Sequence, residues 1–115
     1  MELILNQPRY CNNDDRICVQ LLLKEVLQHG CTVSVWEGED WAIEKSDDFD
    51  QCLEALSSSG EDVVYVRDDM GIQLGWFYLI YDNGSENDPI ICISDYSDTA
   101  FCQSVYESIS KTLEV

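Results

Sequence analysis

The chain has 115 residues with an ordinary apolar share of 45%, enough to bury one core and too little length for two domains of usual size. Its 23 Asp and Glu face only 6 Lys and Arg, a formal charge of −17. A field of that sign repels phosphate, which argues against direct binding to DNA, RNA or an anionic membrane. No apolar run approaches the roughly 18 residues of a spanning helix, and no basic-then-apolar leader opens the chain, so a soluble, unexported protein is expected.

Residues 1–11 hold the apolar stretch Leu3-Ile4-Leu5 and then Pro8, which suits an edge strand or a mobile arm. Asn12-Asn13-Asp14 supplies helix-start residues. Ile17, Val19, Leu21, Leu22, Leu23, Val26 and Leu27 follow before Gly30, a stop that tolerates the left-handed conformation. The apolar surface is wide, so this helix should be the most buried one. Next, Cys31 to Trp36 alternates with period two, Glu37-Gly38-Glu39-Asp40 makes a turn, and Trp41 to Glu44 returns as a hairpin strand. Ser46 is placed to cap a second helix with Phe49, Cys52, Leu53 and Leu56 as its buried stripe. Asp47, Asp48 and Asp50 fall in its first turn, where the helix dipole favours anions.

Three strand candidates come after Gly60. Asp62 to Arg67 is followed by the turn Asp68-Asp69-Met70-Gly71. Ile72 to Tyr81 is aromatic and β-branched almost throughout and predicts a central strand buried on much of both faces, with Trp76 as packing. A loop from Asp82 to Pro89 leads into Ile90 to Ser94. Ser97 or Asp98 should cap a last helix whose apolar face is Cys102, Val105, Tyr106, Ile109 and Leu113. Short turns favour antiparallel pairing. The expected fold is therefore a single α+β domain over 1–115, with three helices on an antiparallel sheet of about five strands in the order α-β-β-α-β-β-β-α.

Six cysteines, Cys11, Cys18, Cys31, Cys52, Cys92 and Cys102, would suit a disulfide framework in an exported chain. Cys52, Cys92 and Cys102 instead sit in apolar stripes and read as small buried hydrophobes, which favours reduced thiols and a cytosolic setting. No CxxC pair occurs and His29 is the sole histidine, so neither a structural zinc site nor a Cys–His nucleophile is expected, and no cofactor or metal is assigned. His29 beside Gly30 reads as a solvated histidine at a helix end.

Thr32-Val33-Ser34-Val35-Trp36-Glu37-Gly38-Glu39-Asp40-Trp41, the pair Gly75-Trp76 and Ser94-Asp95-Tyr96-Ser97-Asp98 together resemble small acidic proteins of unknown function carried by tailed bacteriophages and prophages. The likeness covers about residues 30 to 100, and this chain departs from the pattern by a longer loop from Gly84 to Pro89. The resemblance implies a phage origin and a life in the bacterial host cytosol, and it lends no catalytic residue. Phage accessory proteins often block host defence, so it also implies an inhibitor of a CRISPR complex or a restriction enzyme.

The strongest local feature is the acidic stretch Glu37, Glu39, Asp40, Glu44, Asp47, Asp48, Asp50 and Glu54, opposed by Lys45 alone. Duplex DNA carries one charge per about 1.7 Å of its axis, and carboxylates a few ångströms apart present a similar potential to a groove of Lys and Arg. The competing reading is a solvated acidic face. Against it stands the charge of −17, since solubility of a small domain seldom needs a magnitude beyond about 8. Trp36 and Trp41 flank the turn as either core residues or interface anchors. A second acidic set, Asp82, Glu86, Asp88, Asp95 and Asp98, either extends this surface or binds a divalent cation, although its loop lacks a regular calcium pattern. The expected function is a non-catalytic, DNA-mimicking inhibitor of a basic nucleic-acid-binding host protein. The alternative is a structural or homodimerising phage accessory protein whose acids only solubilise it.

Overall fold

The computed structural model describes residues 7–8, 11–57, 60–82 and 92–113. Helix α1 spans Asn13–Gln28. The Asn12 side chain accepts from the Asp15 backbone N–H at 2.8 Å, satisfying a donor that a helix start leaves unpaired. The helix ends where Gly30 turns to φ +77°, a conformation that costs glycine little. Cys18, Val19, Leu22, Leu23 and Val26 along its length are fully buried, as its wide apolar surface predicts.

Strands β1 (Thr32–Trp36) and β2 (Trp41–Ser46) form the expected hairpin, and α2 (Phe49–Glu54) follows. Then come β3 (Glu61–Arg67), β4 (Gln73–Ile80), β5 (Ile93–Tyr96) and α3 (Ala100–Leu113). The five strands pair antiparallel in the order β2-β1-β3-β4-β5, which is the α+β fold expected. Helix α1 lies between α2 and α3 and touches both, so the helices make one layer. Gly75 shows how closely α3 approaches: a Cβ there would overlap Cys102 Sγ and come within 2.5 Å of Ser97 Oγ. The two-residue period of the strands then sorts side chains by face. Val33, Val35, Val64, Val66, Phe77 and Leu79 point at the helices and are fully buried. Their neighbours Trp36, Val63, Tyr65, Trp76 and Tyr78 are half-buried on the opposite face.

Several local expectations need correction. Asp48, not Ser46, caps α2, with its carboxylate accepting from Gln51 N–H at 3.0 Å. Ser46 closes β2 instead, and its hydroxyl accepts from Asp48 N–H at 3.2 Å. Helix α2 is consequently short, and Asp47 precedes it. The last helix begins after Thr99, whose hydroxyl accepts from Cys102 N–H at 3.3 Å, so Ser97 and Asp98 lie outside it. Ser97 Oγ is held by Trp76 N–H at 3.0 Å, which keeps it with the sheet. Strand β4 is paired on both sides, by β3 and β5, as a central strand should be, and Trp76 packs half-buried on the face turned away from the helices. Ile72 precedes β4 and is 58% exposed. Strand β5 begins at Ile93, and Ile90, Ile91 and the loop 83–89 fall outside the described residues, as does most of the 1–11 segment. All six cysteines are free and buried.

Candidate functional site

The acidic stretch follows one edge of the molecule because β2 is an edge strand and α2 packs beside it. Glu39 and Asp40 sit exposed at the hairpin tip, closed by a Glu37 N–H bond to the Asp40 carbonyl at 3.0 Å. Glu44 on β2 and Asp47, Asp48, Asp50 and Glu54 around α2 are exposed as well. Glu37 differs. It is half-buried, and its charge acts on Asp62. Asp48 is engaged as the α2 cap, so its carboxylate contributes to folding as well as to the surface. Lys45, the one cation in the stretch, is exposed at a left-handed φ of 49°.

The described members of the second acidic set, Asp82, Asp95 and Asp98, come from other elements than the first. Asp95 lies on β5, at the edge opposite β2, and its carboxylate accepts from Tyr96 N–H at 2.8 Å. Asp82 is tied to the start of α1, where Asn12 Nδ2 donates to it at 3.0 Å. Asp98 is exposed between β5 and α3, and Glu86 and Asp88 lie outside the described residues. Among the described residues, no group of three or more His, Cys, Asp or Glu side chains is disposed to hold a metal ion.

Trp36 and Trp41 meet edge to face, with ring centres 5.1 Å apart, and Trp41 meets Tyr65 in the same manner at 5.6 Å. Tyr65 is paired across the strands with Trp76, and Val63 with Tyr78. The result is an aromatic band crossing four strands on the face turned away from the helices. Trp41 is 39% exposed and Trp36 half-buried. Sequence reasoning found the two hairpin tryptophans and missed Tyr65, Trp76 and Tyr78 as their neighbours. The alternation Val63-Val64-Tyr65-Val66 against Gly75-Trp76-Phe77-Tyr78 carries that signal, since it sets aromatics on one face and aliphatics or Phe77 on the other.

A buried carboxylate was also missed. Asp62 stands on the helix side of β3, and one of its oxygens accepts from Ser57 N–H at 2.8 Å and from Tyr81 O–H at 2.7 Å. Its other oxygen is buried without a hydrogen-bond partner. Burial pushes its pKa up to about 6 despite the two donors, and the charges of Glu37 and Glu61 push the same way. Burial raises the Asp15 carboxyl too, although Asp82 N–H donates to it at 2.8 Å.

No protein-family model matches the chain, and neither curated proteins nor solved structures provide a match.

Proposed function

We propose that the protein is a non-catalytic, phage-type inhibitor that binds a basic nucleic-acid-binding host protein, such as a CRISPR complex or a restriction enzyme, through an acidic surface that mimics DNA. The observation that carries this reading is the placement of Glu39, Asp40, Glu44, Asp47, Asp50 and Glu54, all exposed, along one edge built from the hairpin tip, β2 and α2. With a charge of −17 behind it, that edge steers toward cationic grooves and competes there with phosphate. Carboxylates pair with the Arg and Lys side chains that otherwise hold the nucleic-acid backbone.

The test is capture from bacterial lysate at low and at high salt, with a charge-reversed control lane. Glu44, Asp47 and Asp50 are the residues to reverse to Lys, because Asp48 would remove the α2 cap. A specific protein held at low salt, released by salt and lost from the reversed protein supports the reading. An empty lane, or capture indifferent to both salt and reversal, counts against it.

A further inference from the structure

We propose that the aromatic face of the sheet, rather than the acidic edge alone, receives the partner, and that it takes arginine side chains from a cationic segment. The inference rests on the reading of a cationic partner given above and adds where its side chains dock. Trp41, Trp36, Tyr65 and Trp76 form a band on the helix-free face, with Trp41 the most open of them. Open sheet faces carrying aromatic rings stack nucleic-acid bases in many proteins, where a positive field holds the phosphates. Here the field is inverted, so the stacking partner must be a cation.

Carboxylates rim the Trp36 end of the face. Glu39 and Asp40 lie at the hairpin tip, Glu61 accepts from the Tyr78 hydroxyl, and Asp95 is paired across the strands with Tyr78. Rings flanked by carboxylates complement a planar guanidinium, which stacks on an aromatic face while its N–H groups reach an acid. Arg67 starts at the other end of the face, across from Thr32, and its guanidinium reaches in to Ser34 Oγ at 3.3 Å, the residue paired with Tyr65, so the chain's own cation borders the far side of the band. A second copy of the chain is a poor occupant, because both rims would carry the same sign.

The test uses oligoarginine and oligolysine of equal length, titrated into the whole protein at physiological salt. Tryptophan fluorescence and the indole N–H resonances report on the face, and sedimentation reports the oligomeric state. Oligoarginine should bind about fivefold or more tighter than oligolysine and perturb the indoles. Trp41→Ala, at an exposed position, should abolish that preference by weakening oligoarginine far more than oligolysine. Trp41→Phe should keep part of it. Reversal of Glu44, Asp47 and Asp50 should weaken both peptides alike.

Equal affinities with unmoved indoles, while the reversal still weakens both peptides, would overturn the face as the docking site and leave the acidic-edge reading standing. Loss of the arginine preference in W41A with no effect of the reversal would keep the face and remove the edge. A salt-insensitive dimer with protected indoles would overturn the proposal in favour of a second copy.

Discussion

The two faces of the sheet are made from the same strands and do different work. On the helix side, Val33, Val35, Val64, Val66, Phe77 and Leu79 are closed off by α1, α2 and α3 together with buried cysteines. On the other side, aromatic rings shield one another and stay half-open to solvent. Stability should therefore concentrate on the first face, and surface available for recognition on the second. An interior that is packed at crystal-like density punishes every lost atom, whereas a half-open ring can be removed with water filling its place.

The sharpest way to break this contrast is a pair of truncations. Phe77→Ala should cost about 3–5 kcal/mol in denaturant unfolding, and Trp41→Ala less than about 1.5 kcal/mol. Equal losses would mean that the open face is also core.

A pH effect comes next in size. Asp62, on the helix side, has its carboxyl pushed by burial from the ordinary 3.8 up to about 6 in the folded state. The native state therefore binds this proton more tightly, so stability rises as pH falls from above 6 toward 4 and is lost as pH climbs back. The raised Asp15 carboxyl adds in the same direction. The Asp62 contribution is on the order of 2–3 kcal/mol. Asp62→Asn should flatten the stability–pH curve over that window, and an unchanged slope would show that the carboxylate is better solvated than its burial implies.

Gly75→Ala tests the closeness of α3. The new methyl overlaps Cys102 Sγ, so a loss of about 1–3 kcal/mol is expected, partly recovered in the Gly75→Ala, Cys102→Ala double variant. Full additivity of the two changes would contradict the contact. Smallest of all, Thr99→Ala should cost about 1 kcal/mol in thermal unfolding through loss of the α3 cap, while Ser97→Ala acts instead on the β4–β5 junction.

Element order and the helix-side core were legible because periodicity reports them directly: Val19, Leu22, Leu23 and Val26 on α1, and Cys102, Val105 and Ile109 on α3 are buried as their spacing predicts. The caps were less legible. Ser46, Asp47 and Asp48 are all good cap residues in a row, and Ser97, Asp98 and Thr99 repeat the ambiguity, so local chemistry offers several starts and tertiary pairing selects one. Strand β4 was legible as an interior strand, but what covers each of its faces was not. An apolar run reads the same whether its second face meets helices or only a layer of neighbouring rings. The acidic edge was visible as a stretch of sequence, but its separation from Asp95 depends on strand order, which places β2 and β5 at opposite edges. Asp62 was hidden inside a strand pattern, where nothing in sequence distinguishes an exposed carboxylate from a buried one.

The claim that carries the account is that this surface occupies a site built for nucleic acid. It is tested most directly by competition: a protein captured on the immobilised chain is challenged with duplex DNA, and its release is followed against DNA concentration. The account predicts that DNA displaces the captured protein, and that adding the free chain in turn strips DNA from it. A ternary assembly, in which the captured protein holds DNA and this chain together with neither weakening the other, would contradict it.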